Sequence, residues 1–421
     1  MREMKDSGIP WIGKIPSSWG LIRFKDKYRS VKEIAGDRSS EYQRLALTLN
    51  GVIKRPKDDS EGLQPKEFDT YQILRKNEFV FKMIDLQNVN TSRVGLSQYT
   101  GLVSPAYLKF APRSGNQYPS FIYYYLMSMY YNCVFNKLGG DGVRSALNPS
   151  DMGAVVIPYP PEHEQISIVD AIEKKTSAID ALIANQEAQI EKLKQYKQSL
   201  IAEVVTKGLD PNATMKDSGV EWIGPINESF KVATIRSIFQ IKKEIIGHEP
   251  ETVLSITQRG LKIKDVSVNE GQMAGSYEHY QIVNVGDFAM NHMDLLTGGV
   301  GISQYDGVTS PDYRVFRMRS KTMNPKYFLY VLEMYYRNKI FYAFGQGAAN
   351  IGRWRLPAQN FNAIWIPVAP IEEQNRIADY LDKKLAAIES LILKKTEKIA
   401  ALNQYKKSLI YEYVTGKKEV V

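Results

Sequence analysis

Few residues of this 421-residue chain are arranged for catalysis. Gly8-Ile9-Pro10-Trp11-Ile12-Gly13-Lys14-Ile15 nearly spells a phosphate-binding loop, but Ile15 stands where a Ser or Thr would hold Mg²⁺. Pro10 and Trp11 are poor material for a cradle of backbone amides. The four histidines, His163, His248, His279 and His292, lack the spacing of a metal site, and a single Cys133 can form neither an internal disulfide nor a thiolate cluster. Cys133 lies in an aromatic helical stretch and reads as core rather than nucleophile. Asn148-Pro149-Ser150 and Asn324-Pro325-Lys326 lack the second Pro and the aromatic with which a methyltransferase grips an amino group. The residue types point away from an enzyme and toward binding.

Charge locates the binding surface. The chain holds 55 Lys+Arg against 46 Asp+Glu, net +9. Residues 1–161 carry 22 basic and 15 acidic side chains, and residues 211–370 carry 17 and 14, so the surplus falls in these two segments, where phosphate contacts would be needed. Hydrophobic content of 43% and charged content of 24% are globular values, which exclude a largely disordered chain. No apolar run reaches the ~18–20 residues of a membrane span, and the polar start Met1-Arg2-Glu3-Met4-Lys5-Asp6 has no signal-peptide pattern. The expectation is a cytoplasmic protein with an anionic partner.

The chain repeats itself. Met4-Lys5-Asp6-Ser7-Gly8-Ile9-Pro10-Trp11-Ile12-Gly13 returns as Met215-Lys216-Asp217-Ser218-Gly219-Val220-Glu221-Trp222-Ile223-Gly224. Tyr71-Gln72-Ile73 returns as Tyr280-Gln281-Ile282, Gly95-Leu96-Ser97-Gln98-Tyr99 as Gly301-Ile302-Ser303-Gln304-Tyr305, and Gln195-Tyr196-Lys197-Gln198-Ser199-Leu200-Ile201 as Gln404-Tyr405-Lys406-Lys407-Ser408-Leu409-Ile410. The boundaries follow: a first globular domain at 1–161, a long helix and linker at 162–210, a second globular domain at 211–370, and a distal helix and tail at 371–421. In the globular parts, residues 94–99, 107–110, 300–305 and 313–318 read as strands and 120–132 and 325–338 as helices, which gives an α+β class.

The helical parts have no internal Gly or Pro and carry heptad seams. Ile172, Ile179, Gln186, Leu193 and Leu200 recur every seven residues, with Thr176, Ile183, Ile190, Lys197 and Val204 four positions on. Leu381, Ile388, Lys395, Leu402 and Leu409, with Leu385, Ile392, Ile399, Lys406 and Tyr413, repeat them. The two segments share 21 of 45 aligned residues. Each helix would be roughly 60–65 Å long at 1.5 Å per residue. The connection at 207–213 spans at most ~25 Å extended, too little to return along the helix. Antiparallel coiled-coil packing with pseudo-twofold symmetry follows.

Where the repeats differ inside a shared frame, side chains are free to read different ligands. Leu47-Thr48-Leu49-Asn50-Gly51 faces Ile256-Thr257-Gln258-Arg259-Gly260, and Lys54-Arg55 faces Ile263-Lys264 with Lys262 nearby. The stretch after Asp85-Leu86 contains Asn88, Asn90 and Arg93, and His292 precedes the matching Asp294-Leu295. Arg144 ends a glycine-rich loop in the first copy; Gln346, Asn350, Arg353 and Arg355 stand in and after its longer counterpart. Asn and Gln pair bidentately with adenine and Arg with guanine, so these are the candidate DNA-binding residues; ordinary variable surface loops are the alternative. Leu182, Ile201, Leu391 and Ile410 lie outside the seam and form a candidate partner-docking surface, with local packing as the alternative.

The combined pattern resembles the specificity subunit of type I restriction–modification systems. The resemblance rests on the Met-Lys-Asp-Ser-Gly-x-x-Trp-Ile-Gly openings, on Ile157-Pro158 and Ile366-Pro367, on Glu164-Gln165 and Glu373-Gln374, and on the Gln-Tyr-Lys-x-Ser-Leu-Ile segments. It implies two target recognition domains held at a fixed spacing and a bipartite, asymmetric site on double-stranded DNA. It also implies docking of two methyltransferase subunits and of restriction subunits. Catalysis would belong to those partners, as would S-adenosylmethionine, ATP and Mg; none of these is expected in this chain. A coiled-coil scaffold without base-specific recognition is the competing reading.

Overall fold

The computed structural model describes residues 2–49, 51–59, 67–83, 93–113, 118–138, 146–258, 260–266, 274–347 and 354–420. Contacts divide the chain into one unit made of Met1–Gln186 and Thr396–Val421 and another made of Glu187–Lys395. The division falls midway along both long helices rather than at their ends. Each unit therefore consists of a head and half of each helix, called rods below.

In the first unit, strands Tyr28–Ser30, Leu108–Pro112, Phe79–Phe81 and Val94–Leu96 form an antiparallel sheet in that spatial order. A second sheet runs Gly51–Arg55, Arg44–Thr48, Gly101–Val103 and Gln72–Leu74, with a parallel contact between Arg44 and Leu102. The second unit repeats the plan. Phe239–Lys242, Arg314–Met318, Phe288–Met290 and Val300–Ile302 form its antiparallel sheet. Leu254–Thr257 pairs with Gly260–Ile263, and the parallel bridge Val253–Val308 stands where the first unit has its parallel contact. Helix Pro119–Tyr131 covers one head and Pro325–Arg337 the other. The mixed α+β class is observed.

The repeated motifs have local physical reasons. Asp6 and Ser7 accept the N–H groups of Gly8 and Ile9 (both 3.0 Å), and Asp217 and Ser218 accept those of Gly219 and Val220 (3.0 and 3.1 Å). The near phosphate-binding loop is thus a side-chain-capped turn, with Lys14 on the following strand. Asn148 and Asn324, which open the two Asn-Pro motifs, are helix N-caps: Asn148 accepts from Ser150 and Asp151, Asn324 from Lys326 and Tyr327. The strand expected at 94–99 ends at Leu96, because the Ser97 hydroxyl donates to the Tyr99 carbonyl (2.7 Å) and closes a turn; Ser303 does the same with Tyr305 (2.7 Å). Gln165 and Gln374, both buried at the rod starts, donate to the carbonyls of Pro160 and Ala369 (2.8 Å each).

The rods are Glu162–Lys207, 46 residues, and Ile371–Val414, 44 residues. Every seam position is buried or half-buried. In the first unit Lys406 Nζ meets both carboxylate oxygens of Asp180 at 2.7 Å. In the second unit Lys197 Nζ meets Glu389 at 2.6 Å, and Lys395 bonds Gln189. In the second unit, moving toward the start of one rod moves toward the end of the other, which is an antiparallel pair. Lys197 and Lys406 are the same residue of the repeat, as are Asp180 and Glu389, so one interhelical ion pair is built twice.

Ile201 and Ile410 do not form an exposed docking surface. They are 1% and 2% exposed and sit in the head cores of the second and first units. Heptad spacing identifies only the face that meets the other rod, whereas the last turns of each rod also lie against a head. Tyr327 of the second unit donates its hydroxyl proton to the Val205 carbonyl (3.1 Å), and Tyr411 of the first donates to Trp11 (3.3 Å). Leu182 and Leu391 are exposed, at 47% and 48%.

Candidate nucleic-acid interface

Each head presents a two-stranded hairpin built to one recipe. In the first, Thr48 Oγ1 donates to the Gly51 carbonyl (3.0 Å); in the second, Thr257 Oγ1 donates to Gly260 (2.9 Å). Gly51 and Gly260 have φ of 84° and 98°, a region that favours glycine, which is why Thr and Gly persist through the repeat. The hairpins lie close on the sheet beneath. A Cβ on Gly95 would fall 2.6 Å from Leu47 Cδ1, and one on Gly301 would fall 2.8 Å from Gly260 Cα. Buried Gln72 and Gln281 hold the next loop by donating to the carbonyls of Tyr107 (2.9 Å) and Tyr313 (2.8 Å). These contacts explain the Tyr-Gln-Ile repeat.

The candidate readers divide by position. Lys54 is exposed on the first hairpin, its ammonium 4.8 Å from the Tyr99 ring centroid. Arg55, next along, is half-buried and ion-paired to Asp59. Lys262 is exposed on the second hairpin. Lys264 is half-buried just beyond it, its N–H bonded to the Val253 carbonyl (2.8 Å). Gln346 and Arg355 are both exposed and exchange two backbone hydrogen bonds of 2.8 and 3.1 Å. Arg93 departs from the expectation: it is 2% exposed and its guanidinium donates to Asn136 Oδ1 at 2.8 Å. So placed, Arg93 ties the start of strand Val94–Leu96 to helix Val134–Leu138 and has no free surface for a base edge. Asn50, Asn88, Asn90, Arg144, Arg259, Asn350 and Arg353 lie outside the described residues.

His292 and Arg355 come together in the second head, joined by a residue the sequence reading did not single out. Arg314, on the strand opposite Met290, is buried and donates from Nη2 to the Leu356 carbonyl (2.7 Å). Burial, with the positive charges of Arg314 and Arg355, pushes the His292 imidazole down to about 4, and burial pushes Arg314 down to about 10. In the first head the Arg75 guanidinium, bonded to Glu33 at 2.8 Å, lowers that carboxyl below its ordinary range. Among the described residues no group of three or more His, Cys, Asp or Glu side chains could hold a metal ion.

A family model described as the type I restriction modification DNA specificity domain matches residues 39–192. Over these residues the chain is similar to that family. A solved structure described as the structural basis of complex assembly and conformational transition of the type I restriction–modification system is similar in fold, with a TM-score of 0.65, 13% identity, and 96% of this chain and 99% of that chain covered. The HsdS subunit from Thermoanaerobacter tengcongensis gives a TM-score of 0.45 at 14% identity, covering 96% of this chain and 98% of the other. The type I specificity subunit from M. genitalium gives 0.36 at 11%, covering 94% and 96%. No helix among the described residues is long and apolar enough to cross a membrane.

Proposed function

We propose that this chain reads a bipartite, asymmetric target on double-stranded DNA, one head per half-site, and directs methylation and cleavage carried out by partner subunits. The observation that carries the reading is a single recognition unit built twice: the Thr–Gly hairpin turn and its glycine seat are retained, while the cations around them differ. Invariant parts hold the frame, and variable exposed parts are free to distinguish sequences. Two linked half-sites multiply discrimination and raise effective concentration. The rods, continuous helices without Gly or Pro inside, supply the stiffness that a fixed unread spacer requires. The division into residues 1–161, 162–210, 211–370 and 371–421 then assigns two target recognition domains and two spacer helices. Two methyltransferase subunits and the restriction subunits are the partners of this reading, with S-adenosylmethionine, ATP and Mg held by them, and the cytoplasm is where the assembly would meet DNA.

Replacing residues 20–150 with the corresponding part of another specificity chain tests the proposal. The expected result is a new sequence in one half of the target and an unchanged other half. A swap that alters both halves equally, or neither, contradicts it. A scaffold with no reading role would show no salt-dependent DNA binding.

A further inference from the structure

In the second head two buried side-chain nitrogens, Nδ1 of His292 and Nη1 of Arg314, have no hydrogen-bond partner among the described residues. Leu356 ties their surroundings together: its N–H donates to the His292 carbonyl (2.9 Å) and its carbonyl accepts from Arg314 (2.7 Å). Arg355 immediately precedes it at the surface. Arg314 is only 6% exposed, and its guanidinium lies 4.8 Å from the Phe361 ring centroid. Neither arginine has a carboxylate partner among the described residues. The nearby Asp294 carboxylate is occupied by Thr297 and the N–H of Leu296. A buried cation without a counter-charge is costly, so an anion at this place would relieve it.

The first head shows that the fold does not require these groups. There Leu147 donates its N–H to the Met83 carbonyl (3.2 Å), as Leu356 does to His292, and Leu108 faces Phe81 as Arg314 faces Met290. The positions of His292, Arg314 and Arg355 are held by Met83, Leu108 and Ala146. Three apolar residues in one frame are thus an imidazole and two guanidiniums in the other, with no carboxylate paired to them among the described residues.

We propose that His292, Arg314 and Arg355 seat a phosphate-type oxyanion, which in the working complex is a phosphodiester of the DNA backbone, and that the first head has no such seat. The part-exposed His292 ring and the exposed Arg355 meet the oxyanion, while Arg314 lends its charge from beneath, where water screens it little. The unpartnered Nη1 donor of Arg314 suits a phosphate oxygen, as does the imidazole of His292 when Nδ1 carries its proton. The source of the phosphate rests on the DNA-recognition reading; the seat itself does not.

The test uses the full chain with two probes. Titrating inorganic phosphate while following the four histidine rings by NMR should move His292 alone, with the H292M variant giving the assignment, and R355A should abolish the movement. Binding to a mixed-sequence duplex across a salt series should show R355A, R314L and H292M weakened about equally on all sequences, with R355A and R314L lowering the salt slope by about one. R355A, at the surface, keeps the test valid if a buried variant fails to fold. An unmoved His292 in phosphate overturns the seat. Duplex binding by R355A equal in affinity and slope to that of the parent overturns its DNA role, as does lost discrimination at one base pair with an unchanged slope. A parent chain that binds no duplex contradicts the DNA-recognition reading, and the phosphate titration then still decides the seat.

Discussion

Each head buries one lysine against a carboxylate, but the lysine enters from a different strand. In the first, Lys109 on Leu108–Pro112 lies 3.3 Å from Glu78 and 3.9 Å from Glu33. In the second, Lys242 on Phe239–Lys242 lies 2.8 Å from Asp287 and 3.6 Å from Glu244. Val31 donates its N–H to Lys109, and Lys242 pairs with Val315, so the two heads exchange Lys and Val across one pair of neighbouring strands. The carboxylates also cap matching turns, accepting the N–H of Arg75 (2.8 Å) and of Asn284 (2.9 Å). Substituting Lys242→Val leaves Asp287, whose side chain is 9% exposed, without its cation. Breaking a buried pair on one side costs about 3–5 kcal/mol. Adding Val315→Lys rebuilds the arrangement of the first head, and the double variant should recover to within about 1–2 kcal/mol of the parent. Urea unfolding followed by tryptophan fluorescence reads this through Trp222, Trp354 and Trp365 of the second unit. A double variant no more stable than Lys242→Val would refute the claim that the heads are interchangeable solutions of one fold.

Other outcomes follow from the same structure. Ile410→Ala and Ile201→Ala should each lower stability by about 2–4 kcal/mol in thermal unfolding, whereas Leu182→Ala should lie within about 0.5 kcal/mol. Gly301→Ala should disturb the second hairpin, since its Cβ meets backbone at 2.8 Å, and should speed amide exchange in residues 254–263 while leaving the first head unchanged. For His292, whose folded-state value of about 4 lies below the ordinary 6.5, the unfolded chain takes up the proton first. Stability should therefore fall as pH drops from about 6.5 toward 4, by up to about 2–3 kcal/mol, with His292→Met removing that component. Unfolding of that variant with an unchanged pH slope would contradict the assignment.

What the sequence made legible was periodic or repeated. Heptad spacing exposes the seam from Ile172 to Val204, because every member faces the same neighbour. The order of matching motifs exposes two copies of one head, because turns such as Ser7 and Ser218 need the same residues in the same places. Contacts between elements far apart along the chain left no such mark. Ile201 and Ile410 occupy helix positions that look free until a head is packed there. Arg93 stands in a stretch rich in Asn and Gln, and only the fold turns it inward to Asn136. Arg314 reads as an ordinary strand residue until His292 and Leu356 are brought beside it. The exchange of Lys109 for Lys242 is invisible along the chain because it is compensated across strands.

Sequencing the methylated positions of genomic DNA from cells that carry this chain with its partner subunits tests the central claim most directly. The account predicts one motif in two dissimilar parts, separated by a gap of constant length in which any base is accepted. Modification confined to a single uninterrupted motif, or the absence of any sequence preference, would contradict it.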